Sequence, residues 1–154
     1  MKYLGVDTGV NTGLALWDSK IKKFTFIKTT LLHLALQEAK ELFDKDGIDC
    51  IVIEDARLNK TTFGKKIPPY YEIKNQKQYN NAIAVIQRIG MVMRDAKAWE
   101  DFCKDNDIDY ILVKPSKATF TKANPAMLRG YYNEQEIKRI SEHACDAAML
   151  VWGR

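Results

Sequence analysis

Apolar residues recur with two different spacings along this chain, and the change of spacing separates strands from helices. Short apolar runs come first, with turn-forming residues such as Gly9, Asn11 and Gly13 between them. Connections this short favour neighbouring antiparallel strands. Leucine and alanine then recur at helical spacing until Gly47. Strands are predicted at 3–7, 12–18, 22–30, 50–55 and 109–113, and helices at 31–46, 80–106 and 134–152.

The order of these elements is βββαβαβα, which predicts an α/β fold. Residues 50–55 read CIVIED, and such a continuously apolar run is typical of a buried strand in a parallel sheet. Together with the antiparallel strands before it, this run predicts a five-stranded mixed sheet flanked by helices. The chain has 154 residues, so one core and a single domain, 1–154, are expected.

Composition indicates an ordinary globular protein. Apolar residues make up 46% of the chain and charged residues 29%. No apolar run approaches the ~20 residues that span a bilayer, and no signal peptide is recognisable, so no membrane association is expected. Cys50, Cys103 and Cys145 have no CxxC spacing and lie in apolar stretches, which predicts buried free thiols. A cytoplasmic location, in a bacterium or a phage-infected bacterial host, is expected.

Positive charge is concentrated in two segments. Residues 57–79 hold six basic residues and one acidic residue, and residues 114–129 hold four basic residues and no acidic one. Since the whole chain carries only +4, the remainder is acidic. A basic surface on an acidic body indicates a polyanionic partner, and solvated lysine-rich loops are the alternative.

Aromatic residues lie among the lysines of the first basic segment. Phe63, Tyr70 and Tyr71 are suited to stack on unpaired bases while lysines hold phosphates. Local packing of the two tyrosines around Pro68 and Pro69 is the alternative. The predicted nucleic-acid contacts are Lys60, Phe63, Lys65, Lys66, Lys114, Lys117 and Lys122.

Four polar residues interrupt apolar sequence at places where a site can form. Asp7 and Glu54 end the first and fourth strands, and His143 and Asp146 lie one turn apart on the last helix. Carboxylates sharing one apolar site repel each other, and a divalent cation relieves this repulsion. Oxygen ligands suit Mg²⁺ or Mn²⁺. Each residue alone has an ordinary structural explanation, so the prediction rests on their joint pattern.

The order of elements and these residues resemble the RuvC-type Holliday junction resolvases of the RNase H-like superfamily. The opening LGVDTGVNTGLALWD is similar to the family's first motif, IVIED carries its glutamate, and HACDAAML is similar to its final helix motif. The resemblance covers nearly the whole chain. It implies an RNase H-like sheet, a two-metal site and a homodimer, for which the helix at 80–106 is the expected interface.

The resemblance also implies an activity. The expected enzyme is a metal-dependent endonuclease that cleaves branched DNA, most of all Holliday junctions, with two Mg²⁺ or Mn²⁺ ions per site. Asp7, Glu54, His143 and Asp146 are the expected ligands. Lys117, with Lys114 as a second candidate, is expected near the scissile phosphate. Phe63 is the candidate for the aromatic residue that enters the junction.

Several alternatives stay open at the level of sequence. Glu142 is four residues from Asp146, so either Glu142 or His143 can be the third metal ligand. A nuclease of the same fold that acts on RNA, as in YqgF-like proteins, has the same chemistry. A nucleic-acid-binding module that does not cut is a further possibility. The sequence does not distinguish junctions from forks, flaps or RNA, and it shows neither a cleavage-sequence preference nor a cellular or phage origin.

Overall fold

The computed structural model describes residues 1–59, 67–115 and 125–154. Within these ranges, five strands form one mixed sheet in the order β3-β2-β1-β4-β5. The strands are β1 (Lys2–Asp7), β2 (Asn11–Asp18), β3 (Lys23–Leu31), β4 (Cys50–Glu54) and β5 (Tyr110–Val113). The first three form an antiparallel meander, whereas β1, β4 and β5 are parallel. Every strand lies within one residue of its predicted bounds, because short apolar runs between turns mark strands clearly.

The helices agree less closely with the predicted ones. They are α1 (Leu32–Asp46), α2 (Gln76–Asp105), α3 (Glu134–Ile137) and α4 (Glu142–Val151), with single 3₁₀ turns at Ala56–Leu58, Tyr70–Glu72 and Pro125–Leu128. The helix predicted at 80–106 begins earlier, at Gln76, because the Asn75 side chain accepts a hydrogen bond from the Gln78 backbone N–H and caps it.

The prediction of one helix over 134–152 is wrong. Two helices, α3 and α4, occupy this stretch, and each has its own N-terminal cap. Asn133 accepts a hydrogen bond from the Gln135 N–H, and Ser141 accepts one from the Ala144 N–H. An N-cap residue has a non-helical backbone conformation. Ser141 therefore cannot lie within one continuous helix.

The sheet has one core on each face. Leu4, Val6, Ile51 and Ile53 pack with Trp99 in the layer formed by α1 and α2. The other face packs against α4, and its core includes Ala15, Val52, Ala147, Ala148 and Val151. Successive strand residues point to opposite faces, so neighbours such as Ile51 and Val52 belong to different cores.

Two glycines let α4 lie directly on the sheet. A Cβ atom at Gly13 would be 2.0 Å from the carbonyl oxygen of His143, and one at Gly5 would be 2.1 Å from that of Ala147. Gly13 was predicted as a turn-forming residue after Asp7, but it lies in β2, opposite Asp7. Its missing side chain therefore serves the close approach of backbone to backbone.

The prediction about the three cysteines is confirmed in the described residues. Cys50, Cys103 and Cys145 are buried and free, as predicted. Within 1–59, 67–115 and 125–154, no helix combines the length and the apolar character needed to cross a membrane. The extent of the domain, 1–154, stays a prediction.

Candidate active site

Two carboxylates meet at one edge of the sheet. Asp7 is the last residue of β1 and Glu54 the last of β4, and the preceding residues Val6 and Ile53 are paired in register. Because β1 and β4 are parallel, their carboxyl ends lie side by side. The Thr8 hydroxyl donates a hydrogen bond of 2.9 Å to the Glu54 carbonyl oxygen and joins the two strand ends.

Helix α4 brings its polar residues to the same edge. The Nδ1 atom of His143 lies 2.9 Å from Oδ2 of Asp7, so an N–H on this nitrogen donates to the carboxylate. Asp146 is one turn further along the helix, and its charge acts on Asp7 and Glu54. Glu142 is exposed, and its charge also acts on Asp7 and Asp146. The choice between His143 and Glu142 as a ligand stays a prediction.

The protonation of the three carboxyl groups reflects their confinement. Burial, with the charges of Asp7 and Asp146, raises the pKa of Glu54 to about 8. Burial and the same kind of repulsion raise the pKa of Asp146 to about 6. Burial also raises the pKa of Asp7, although the contact with His143 opposes the rise. The site therefore holds more negative charge than the surrounding protein stabilises, which is typical of functional sites.

The donor set fits a hard divalent cation in its chemistry. The side chains offer carboxylate oxygens and an imidazole, and Oδ1 of Asp146 is buried without a hydrogen-bond partner among the described residues. These side chains do not form a ready-made metal cluster: in the described parts of the chain, no three His, Cys, Asp or Glu side chains gather as a ligand group. Asp7 contacts His143 in this arrangement.

Most of the predicted nucleic-acid contacts lie outside the described residues. They are Lys60, Phe63, Lys65, Lys66, Lys117 and Lys122. Lys114 is described, and it is exposed directly after β5. Tyr70 and Tyr71 are 88% and 81% exposed, so local packing around Pro68 and Pro69 does not account for them.

Thr8 and Gly5 shape the site but were not predicted from the sequence, and Gly13 was predicted only as a turn residue. Thr8 follows Asp7 directly, but nothing in the sequence shows that its hydroxyl reaches the end of β4. The small residues of α4 that face Gly5 and Gly13 are a visible signal, because an alanine-rich helix face suits close packing. The sequence does not show which strand residues the alanine-rich face of α4 packs against.

The raised pKa of Glu54 predicts how stability depends on pH when no metal is present. The folded protein retains a proton on Glu54 up to about pH 8, whereas the unfolded chain releases it near 4.5. The stabilising contribution is thus present below about pH 4.5 and is lost as the pH rises through 8. Glu54→Gln mimics the protonated form, so at pH 8.5 we expect it to be more stable than the wild type by about 2 kcal/mol after allowance for solvent screening.

Urea unfolding in EDTA at pH 5.5, 7 and 8.5 measures this difference. The matched control is Glu41→Gln, because Glu41 is exposed on α1. It should follow the wild type at all three values. A Glu54→Gln variant that is less stable than the wild type at pH 8.5 would contradict the predicted repulsion.

Neither a protein-family model nor a curated protein matches the sequence. Among solved structures, T. thermophilus RuvC in complex with Holliday junction substrate is 12% identical, with a TM-score of 0.57, and the match covers 97% of this chain and 91% of that chain. Fowlpox virus resolvase in complex with Holliday junction DNA is 10% identical, with a TM-score of 0.50, and 97% of each chain is covered.

These similarities confirm the predicted fold. The chain has a mixed sheet of five strands flanked by helices, and it shares this fold with the two resolvase structures. At identities this low, the comparison establishes the fold alone. The chemistry depends on the residues at the sheet edge.

Proposed function

We propose that this chain is a metal-dependent endonuclease that cleaves branched DNA, with Holliday junctions as the preferred substrate. The observation that carries the proposal is the convergence of Asp7, Glu54 and Asp146, with raised pKa values, at one edge of the sheet. A fold shared with two proteins whose structures contain Holliday junction DNA supports the choice of substrate. A binding module that does not cut has no need of three repelling carboxylates.

Asp7, Glu54 and Asp146 would hold two Mg²⁺ or Mn²⁺ ions, with His143 as a further ligand. When bound, such ions supply positive charge to the reacting phosphate and lower the pKa of water. Glu54 must lose its proton to act as a ligand. Because its pKa is raised to about 8, binding of a cation near neutral pH would displace this proton. His143 is placed to hold a proton at Nδ1 against Asp7 and so to orient this carboxylate.

The basic segments supply the contacts to DNA in this proposal. Lys114 follows β5 at the end of the sheet that carries Glu54, because β4 and β5 are parallel. Its exposed ammonium group is available to a phosphate. Tyr70 and Tyr71 expose their rings beside lysine-rich sequence, so they offer surfaces for unpaired bases. The contacts proposed at Lys60, Phe63, Lys65, Lys66, Lys117 and Lys122 stay predictions.

Cleavage of a panel of labelled substrates tests the function. The panel contains a four-way junction, a fork, a flap, a linear duplex and the four-way junction made of RNA, each with Mg²⁺, Mn²⁺ or EDTA. We expect paired nicks in the four-way DNA junction that need the metal. Preferred cleavage of RNA would show that the enzyme is a nuclease that acts on RNA and not on branched DNA. Tight binding without any cleavage would leave a binding module.

We further propose that the enzyme is a homodimer and that α2 forms its interface. The buried residues of this helix lie mostly between Asp95 and Cys103, whereas Tyr79, Ile83 and Ile86 are exposed. They recur at positions i, i+4 and i+7 and so form one apolar stripe. Two sites related by two-fold symmetry suit the two cuts that a four-way junction requires.

The substitution Ile86→Glu tests this interface. A charge in the middle of the stripe must lose its hydration if two copies pack there, so we expect a shift from dimer to monomer. Ile21→Glu is the matched control, because Ile21 is an exposed isoleucine outside α2. Sedimentation velocity gives the mass of each variant. A wild-type protein that is monomeric at micromolar concentration would rule the dimer out.

A further inference from the structure

Directly after Glu54 the chain buries a second carboxylate that takes no part in the proposed site. The side chain of Asp55 is 1% exposed and belongs to an ion pair with Arg57. Arg57 Nε lies 2.9 Å from both carboxylate oxygens, and Nη2 lies 2.8 Å from Oδ2. Asp55 also accepts the Arg57 backbone N–H at 2.8 Å, so it caps the 3₁₀ turn that follows β4.

The same arginine connects this turn to the long helix. Its Nη2 donates to Oε2 of Glu100 on α2 at 2.8 Å, and the other oxygen of Glu100 accepts from Lys104 at 2.6 Å. Both contacts lower the pKa of Glu100, to about 2. The guanidinium therefore bridges two carboxylates, one at the end of β4 and one on α2. A planar fork suits this task, and a lysine cannot replace it geometrically.

The peptide group between Glu54 and Asp55 is held on both sides. Its carbonyl oxygen accepts from the Thr8 hydroxyl at 2.9 Å, and its N–H donates to the Val113 carbonyl at 2.8 Å. Glu54 and Asp55 are consecutive and extended, so their side chains point to opposite sides of the sheet. A rotation of the backbone that displaces Asp55 from Arg57 therefore also changes the direction of Glu54.

We propose that Arg57, bridging Asp55 and Glu100, is a positioning residue that holds Glu54 in the direction required by the site. The inference rests on the proposed function, since it concerns how one of the proposed metal ligands is held. A buried ion pair of this kind adds little net stability compared with apolar packing, but it fixes one geometry. The residue thus acts on Glu54 through the backbone and contacts neither metal nor DNA.

Two substitutions test the role, and one neighbouring residue is the control. Glu100→Gln keeps an acceptor for Arg57 but removes the charge, and Arg57→Lys keeps the charge but removes the fork. Asp101→Asn removes one charge from the same helix, where Asp101 pairs with Lys97 at the surface. Cleavage of the four-way junction by each variant is measured at temperatures where circular dichroism shows it folded.

We expect kcat to fall about tenfold in Glu100→Gln and further in Arg57→Lys, with KM for DNA unchanged, in line with the loss on removing supports of metal ligands. Mn²⁺ affinity, measured by calorimetry, should weaken to a similar extent, and exchange of the Asp55 amide hydrogen should accelerate. Asp101→Asn should match the wild type in kcat, KM, Mn²⁺ affinity and amide exchange.

The outcomes separate the two proposals. A wild-type protein that neither binds Mn²⁺ nor cuts DNA overturns the proposed function. If the wild type is active, variants with the kcat and Mn²⁺ affinity of Asp101→Asn overturn the positioning role and leave the nuclease intact. Faster amide exchange with unchanged kcat also overturns it, because the ion pairs would then support the fold alone.

Discussion

Replacing Asp7 with asparagine is expected to abolish cleavage while the protein still folds and binds DNA. Asp7 contacts His143 and interacts electrostatically with Glu54 and Asp146, so it is coupled to every other proposed ligand. Asparagine has nearly the same shape but lacks the negative charge that attracts a divalent cation. Loss of several kcal/mol of transition-state stabilisation corresponds to a decrease in rate on the order of a thousandfold.

The matched control for this variant is Asp18→Asn. Asp18 also ends a strand, β2, but β2 is antiparallel to β1 and places Asp18 opposite Lys2, at the other edge of the sheet. Cleavage of the four-way junction, binding by fluorescence anisotropy in EDTA and thermal unfolding are compared for both variants. Asp18→Asn should cleave like the wild type. Undiminished cleavage by Asp7→Asn would remove Asp7 from the site.

The second large effect is expected at Gly13. An alanine methyl group there would lie 2.0 Å from the His143 carbonyl oxygen, which is backbone and cannot rotate away. Helix α4 must move off the sheet, and overpacking of this kind costs about 2 kcal/mol. The movement also displaces His143 from Asp7. We therefore expect Gly13→Ala to lower both thermal stability and cleavage, the latter by at least tenfold, since an ångström-scale shift can cost about a hundredfold.

Alanine substitutions at two other glycines show whether the loss of stability at Gly13 comes from the contact with α4. Gly5→Ala meets Ala147 one turn further along α4, so it should destabilise the protein similarly. Gly90 lies in α2 with nothing within 4 Å of an added Cβ, and alanine there should stabilise the helix by about 0.5–1 kcal/mol. Differential scanning calorimetry ranks the three variants. Equal stability of Gly13→Ala and wild type would show that α4 does not rest on the strand as described.

The strands illustrate how far local pattern alone leads. Their bounds follow from apolar runs and turns, and their pairing follows from short connections for β1–β3 and from continuous apolarity for β4. The helix at 134–152 shows the limit, because Ser141 and Asn133 are ordinary polar residues until their side chains are seen to cap α4 and α3. Capping depends on side-chain direction, which an apolar pattern does not record.

The candidate site divides in the same way. Asp7, Glu54, His143 and Asp146 were predicted from sequence, because a charge in apolar surroundings at a strand end or on an apolar helix is costly and therefore visible. Only the tertiary structure decided that His143 contacts Asp7, that Thr8 joins two strand ends, and that Arg57 bridges Asp55 to Glu100. Most of these contacts join residues far apart in the chain, and the contact between Asp55 and Arg57 depends on the direction of their side chains. The sequence indicates which residues are charged and which are buried, whereas the partner of each side-chain hydrogen bond is determined only by the tertiary structure.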